Sequence, residues 1–141
     1  DDPLETVRQL APWARSVHLK DQAVAPIPQG FLLADIPRGQ GYLPLAEMVA
    51  VLLQSNPQIR LNLELITRDP LVVPVWTDKY WATFPDLPAR ELARTMQQVQ
   101  LLAHPHLSQV STLPLDQQVA LEDRQIAESL AFACTHLGLT A

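Results

Sequence analysis

Apolar residues recur at two different spacings along the chain, and the spacing predicts which segments form helices and which form strands. Apolar residues three and four positions apart predict helices over about residues 3–11, 43–55, 89–103 and 115–137. Alternation of apolar and polar residues predicts strands over about residues 15–20 and 59–66. Two long proline-rich connections separate these elements, at residues 21–41 and 67–89, and residues 31–34 are a candidate for a small extra strand.

The order of these elements is helix, strand, helix, strand, helix, helix, which predicts an α/β fold with parallel strands joined by crossover helices. A parallel sheet is buried on both faces and needs neighbouring strands. With two predicted strands, we expect either more strands before Asp1 or pairing with another copy of the chain. The chain opens on Asp1 and Asp2 without an initiating Met, and we expect that something upstream is missing.

Each predicted strand has one apolar face and one polar face. In the first strand the polar face carries Ser16, His18 and Lys20, and in the second it carries Arg60, Asn62 and Glu64. Burying such a face inside a layered sheet costs about 2–7 kcal/mol per unpaired polar group, whereas the interior of a barrel accommodates it. His18 and Glu64 lie near the carboxyl ends of their strands, where barrel active sites lie. They make either half of a nitrogen and oxygen metal site or a simple hydrogen-bonded pair.

Several segments, in this order, resemble the sugar isomerase and epimerase barrels of the xylose-isomerase-like superfamily, over most of the chain. The segment 16–21 (SVHLKD) resembles the seventh strand of that family, where a histidine binds the metal. The segment 36–45 resembles its Gly-x-Gly loop, and the segment 61–65 (LNLEL) resembles its eighth strand, which ends in a metal-binding glutamate. The segment 121–139 resembles its closing helix.

The resemblance implies the C-terminal part of a (β/α)₈ TIM barrel, with strands 7 and 8 and their helices. The β/α units would occupy residues 1–107, and a C-terminal helical extension would occupy residues 108–141. His18 and Glu64 would be two of four ligands to a divalent metal (Mn, Mg, Co or Zn). The other two ligands would precede Asp1, so the metal is expected only in the full-length protein. The implied reaction is isomerisation or epimerisation of a sugar, sugar phosphate or polyol, with Glu64 transferring a proton next to a carbonyl.

Further candidates surround this pair. Lys20 either steadies an enolate as a catalytic residue or pairs with a carboxylate inside the barrel. Asp35 and Arg38 either reach substrate hydroxyls or are solvated loop charges. Arg68 and Trp76 are candidate substrate-binding residues of a lid or sugar-stacking wall. The alternative for this loop is that its aromatic side chains only hold it in place.

Other polar and glycine residues carry weaker signals. Asp21 either orients Lys20 or caps the turn that follows. Gly39 and Gly41 either present N–H groups to a phosphate or allow a turn with positive φ. His104 and His106, which flank a proline, either bind adventitious metal or lie exposed beyond a helix end.

Composition narrows the class of protein. The formal net charge of −5 argues against a nucleic-acid interface, which needs a basic surface. No apolar run approaches the roughly 20 residues of a membrane span, and no signal-peptide pattern is present. The one cysteine, Cys134, is predicted to be a small core residue, and its isolation fits a reducing compartment. We therefore expect a cytoplasmic protein with neither a nucleic-acid nor a membrane partner, while a small-molecule substrate is what the family resemblance implies.

Two other functions stay open at this point. One is a non-catalytic interaction or assembly module built on a degenerate barrel. The other, which the acidic charge and the single strand histidine disfavour, is a metal-dependent phosphodiesterase resembling endonuclease IV. For the isolated chain we predict no catalysis, and either homo-oligomerisation or completion by the missing N-terminal half.

Overall fold

The computed structural model describes residues 2–139, which form a mixed α/β structure. The helices are α1 (Pro3–Leu10), α2 (Leu45–Ser55), α3 (Asp78–Trp81), α4 (Ala89–Leu101) and α5 (Leu115–His136). The strands are β1 (Ser16–Leu19), β2 (Asp21–Ile27), β3 (Gly30–Ile36), β4 (Arg60–Leu63) and β5 (Leu71–Val73). Among these residues, no helix combines the length and apolar composition needed to cross a membrane.

The two strands predicted from alternation, β1 and β4, lie side by side and run parallel. Their register runs from Ser16 opposite Arg60 to Leu19 opposite Leu63. The alternating pattern turns Leu19 toward the helices, where it enters the main apolar cluster between β1, α2 and α5. The buried members of this cluster are Leu19, Leu45, Val49, Ala133 and Leu137.

The connection predicted over residues 21–41 is wrong in its first part, because it contains a β-hairpin. Strands β2 and β3 pair antiparallel over seven residues each, from Asp21 opposite Ile36 to Ile27 opposite Gly30. The expected extra strand at residues 31–34 is therefore the middle of β3. Pro26 suggested a loop, but β2 is an edge strand, and an edge tolerates the missing N–H of proline.

The second predicted loop, residues 67–89, also contains regular structure. Strand β5 pairs antiparallel with β3 and completes a sheet in the order β2-β3-β5. A Cβ on Gly30, which has a φ of 149°, would lie 2.2 Å from the carbonyl oxygen of Val73. Only glycine allows this close approach at this backbone angle. The sheet then packs on α4 through a second cluster of Val24, Phe31, Val75 and Val99.

Among the five helices, α1 begins with a side-chain cap. The Asp2 Oδ1 accepts hydrogen bonds from the backbone N–H groups of Leu4 (2.8 Å) and Glu5 (3.1 Å), so Asp2 is the N-cap of α1. Leu10, the last residue of α1, is 59% exposed, whereas Ala11, which follows it, is buried. Leu102, which follows the last residue of α4, is 43% exposed.

Apolar spacing predicts that Val119, Ile126, Leu130, Ala133 and Leu137 face inward, and of these Ala133 and Leu137 are buried. The buried residues within the helix are Leu121, Ser129 and Ala133, four to eight positions apart, and Leu137 continues the same line. Val119 and Leu130, which the prediction placed inward, are exposed. Cys134 is exposed as well, so its prediction as a core residue is wrong. Because a polar residue, Ser129, lies in the middle of the buried line, apolar spacing alone predicts only part of that line.

Candidate functional site

Three of the candidate side chains meet where β1 and β4 end. Glu64 Oε2 lies 2.6 Å from His18 Nδ1, and Glu64 Oε1 lies 2.8 Å from Lys20 Nζ. The pairing of the strands causes this, because the parallel ladder continues one step beyond β4, where the Glu64 N–H donates to the carbonyl of Leu19 at 3.1 Å. The period of two along each strand then places His18, Lys20 and Glu64 on one face.

The protonation of this cluster follows from its hydrogen bonds. Hydrogen bonds from Lys20 and, to a lesser degree, from His18 hold the pKa of Glu64 below its usual value. An ionised carboxylate only accepts hydrogen bonds, so neutral His18 carries its proton on Nδ1 and leaves Nε2 free. Lys20 and Glu64 are about one-third exposed and His18 is more so, which leaves the cluster accessible to solvent and to a ligand.

Replacing Lys20 by Met is expected to raise the pKa of Glu64 toward the ordinary value of 4.5, because the donor with the largest effect is removed. A depressed carboxyl pKa stabilises the folded chain above the unfolded-state pKa, and this contribution disappears as pH falls through the folded-state pKa. The stability difference between wild type and Lys20→Met is therefore present at neutral pH and is lost in acidic solution, where the change in the Glu64 pKa appears as a displaced titration curve. A ¹³C carboxyl NMR titration measures it, with Lys79→Met as the matched control. Equal Glu64 titration curves in all three proteins would contradict the contact.

Arg38 lies behind the cluster rather than in solvent. Its side chain is buried, with the residue 3% exposed, so the alternative of a solvated loop charge is wrong. Its Nη2 donates hydrogen bonds to the carbonyl oxygens of Leu19 and, at 2.7 Å, of Glu64. Burial lowers the pKa of Arg38, while the nearby carboxylates of Asp21, Asp35 and Glu64 act in the opposite direction.

Asp21, which directly follows Lys20, organises the loop that leads into α2. It is 1% exposed, and its Oδ2 accepts hydrogen bonds from the N–H groups of Gly39 (2.8 Å) and Gly41 (3.0 Å). Its Oδ1 accepts from the N–H groups of Gln22 (2.9 Å) and Leu43 (3.3 Å). The glycine N–H groups are thus engaged within the protein. Gly39 has a φ of 82°, and a Cβ on Gly41 would lie 2.0 Å from the Asp21 carboxylate.

Arg68 and Trp76 lie elsewhere. Arg68 lines a cavity of about 300 Å³ that also involves His104 and Arg124, and none of the three clustered side chains lines it. Trp76 is 56% exposed, and its backbone N–H donates to the carbonyl of Gln29 at the hairpin turn. Their assignment to substrate binding stays a prediction.

The aromatic residues of the same loop show packing contacts. The Trp81 indole N–H donates to the carbonyl of Val75 at 2.8 Å. The ring of Tyr80 lies edge-on to Trp81 with 5.2 Å between centroids, and 5.5 Å from the ring of Phe84. These contacts hold the loop in place, as one of the two interpretations of the sequence expects.

The histidine pair beyond α4 is bound to its surroundings. The His104 N–H donates to the carbonyl of Val24 at 2.8 Å, and His104 Nδ1 lies 2.6 Å from the carbonyl oxygen of His106. Across residues 2–139, no three or more His, Cys, Asp or Glu side chains converge to hold a metal ion. His18 and Glu64 contact each other without a third such side chain among the described residues.

Comparison of the chain with models of known protein families, with curated proteins and with solved structures gave no match. Function is therefore inferred from the geometry of the cluster and from the sequence pattern.

Proposed function

We propose that His18, Lys20 and Glu64 form part of the active site of a metal-dependent sugar or polyol isomerase or epimerase. The observation that carries this proposal is the convergence of an imidazole, an ammonium and a carboxylate at the carboxyl ends of two adjacent parallel strands. Barrel enzymes place their catalytic groups at this end of the strands, and contribute them from several strands.

The proposed architecture is that of strands 7 and 8 of a (β/α)₈ barrel of the xylose-isomerase-like kind. In support, β1 and β4 are parallel, α2 lies between them in the chain, and helices cover one face. The opposite face carries the exposed residues Ser16, His18, Arg60 and Asn62. Within residues 2–139 each of the two strands has one partner, so an outer edge of each is open to further strands. A longer protein or a second copy would supply them.

The donor atoms present fit a divalent metal in type but are too few. The free Nε2 of His18 and the carboxylate of Glu64 are ligands that Mn²⁺, Co²⁺ and Zn²⁺ accept, and Mg²⁺ accepts the carboxylate. Two ligands do not orient a catalytic metal, so the proposal requires two more from beyond the described residues. When bound, the cation would polarise the carbonyl of the substrate and neutralise developing negative charge.

The side chains of this chain have distinct roles in the proposed reaction. Glu64, kept ionised by its lowered pKa, takes or returns the proton on the carbon next to the carbonyl. Lys20, 2.8 Å from Glu64, is placed to donate a hydrogen bond to the oxygen on which charge develops. His18 holds the site together and keeps one ring nitrogen free.

Metal binding to the complete protein tests this proposal. We expect stoichiometric Mn²⁺ or Co²⁺, measured by elemental analysis and equilibrium titration, and at least ~10-fold weaker binding in His18→Ala, because a ligand is lost. His106→Ala, which changes an exposed histidine on another surface, is expected to bind like wild type. Absence of bound metal in the wild-type protein under every loading condition would rule the proposal out.

A non-catalytic assembly module is the second candidate, and one surface favours it. A groove of about 420 Å³ runs beside β4 and α5, and its walls include the partly exposed apolar residues Leu61, Leu63 and Leu130. Assays of ketose–aldose isomerisation and epimerisation on the complete protein, together with light scattering, separate the two. Association without turnover of any sugar or polyol would favour assembly.

A further inference from the structure

Glu64 is held by its backbone as well as by its side chain. Its N–H donates to the carbonyl of Leu19 at 3.1 Å, and its own carbonyl accepts from the Nη2 of Arg38 at 2.7 Å. The same Nη2 also donates to the carbonyl of Leu19. One nitrogen of Arg38 therefore joins the last peptide of β1 to the peptide that follows Glu64.

Arg38 is itself fixed from two sides. Its backbone N–H donates to the hydroxyl of Ser129 on α5, at 3.3 Å, and Ser129 is fully buried. The next residue, Gly39, donates its N–H to the carboxylate of Asp21. The backbone that carries the guanidinium is therefore held by α5 and by the carboxylate of Asp21.

A guanidinium is a costly choice for this position if its task is only to fill space. The residue is 3% exposed, and among the described residues its Nε and Nη1 have no hydrogen-bond partner. Replacing buried ion pairs by apolar side chains of similar volume is often neutral or stabilising. An apolar side chain would not bridge the carbonyl oxygens of Leu19 and Glu64, and Leu19 lies between His18 and Lys20 in the sequence.

From this geometry we infer that Arg38 is a positioning residue: it fixes the peptides on either side of the strand ends so that the Glu64 carboxylate meets His18 and Lys20. The inference rests on the proposed function for its catalytic meaning, but the contact that it explains exists without metal or substrate. Loss of Arg38 would let the Glu64 peptide rotate and would separate the carboxylate from His18 Nδ1, 2.6 Å away in the intact arrangement.

The tautomer of neutral His18 reports on that contact. We expect two-bond ¹H–¹⁵N NMR spectra of the metal-free chain, at one pH where His18 is neutral, to show the proton on Nδ1. In Arg38→Gln we expect this form to be lost in favour of the Nε2–H tautomer, with Arg38→Lys giving an intermediate population because an ammonium can still reach a carbonyl. Arg60→Gln, at the opposite end of β4, removes the same charge and is expected to leave the tautomer unchanged.

Each outcome decides the inference. A folded Arg38→Gln chain with the wild-type tautomer would overturn it, as would a wild-type chain without the Nδ1–H form. If circular dichroism shows that Arg38→Gln does not fold, Arg38→Lys decides instead, and an unchanged tautomer in that variant counts against positioning. The result is independent of metal binding, so a protein that binds no metal would end the proposed function and leave the role of Arg38 to be judged by these spectra.

Discussion

Replacing Asp21 by Ala is expected to lower the free energy of unfolding by about 3–5 kcal/mol. The carboxylate is almost fully buried and accepts four backbone hydrogen bonds, from Gln22, Gly39, Gly41 and Leu43. Alanine leaves those N–H groups without acceptors, and each buried donor left in this way costs about 1–3 kcal/mol. The single costs are not additive, since water can enter the space that the side chain vacates. Urea denaturation followed by circular dichroism measures the change.

Two further variants show whether that change in the free energy of unfolding comes from the hydrogen bonds of Asp21. Asp123→Ala removes an exposed carboxylate from α5 and is expected to change the free energy of unfolding by about 0.5 kcal/mol or less. Asp21→Asn keeps the shape but turns an NH₂ group toward one pair of backbone N–H groups, so most of the loss should remain. A loss below about 1 kcal/mol in Asp21→Ala would show that the loop does not depend on this carboxylate.

On the proposed function, replacing Glu64 by Gln is expected to reduce turnover by the metal-loaded protein about 10³-fold, within the 10²–10⁴ range of general acid–base catalysis. The amide oxygen still accepts a hydrogen bond from Lys20, so the fold is retained, but the side chain no longer takes up a proton. Loss of metal affinity would add to the effect, and assays at saturating metal separate the two. Exchange of the substrate proton with solvent deuterium measures the step directly.

The control for this prediction is Glu122→Gln, which neutralises an exposed glutamate on α5. We expect wild-type turnover in that variant. Turnover of Glu64→Gln within about 10-fold of wild type would remove Glu64 from the proton transfer, because such a small effect lies below the range for a general base.

The strand pair and the side chains on it could be predicted from the sequence because both depend on local alternation. The period of two places His18 and Lys20 on one face, and the same period places Glu64 on the corresponding face of β4. The β2–β3 hairpin could not be predicted from the sequence because Pro26 and Pro28 are typical of loops. Its stability depends on packing against α4 and on pairing with β5, neither of which leaves a periodic signal.

The burial of Arg38 has no local signal either. It lies between Pro37 and Gly39 in a segment that reads as a solvated loop, and its partners lie far away along the chain at Leu19, Glu64 and Ser129. Burial of a charged side chain is decided by such distant contacts, not by its neighbours in sequence. Alternation of apolar and polar residues predicts where a strand ends, but it does not predict which distant side chains pack against that end.

The Asp21 carboxylate also shortens the loop that must close before β1 and β4 pair during folding. About 40 residues separate the end of β1 from the start of β4, and the hairpin makes up a large part of them. Once Asp21 binds the backbone between Gly39 and Leu43, that part is closed off as a loop of its own. The segment left to close between β1 and β4 is then roughly half as long, which lowers its entropic cost by about 0.6 kcal/mol. A contact next to the site thereby favours local closure first and the long-range strand pairing second.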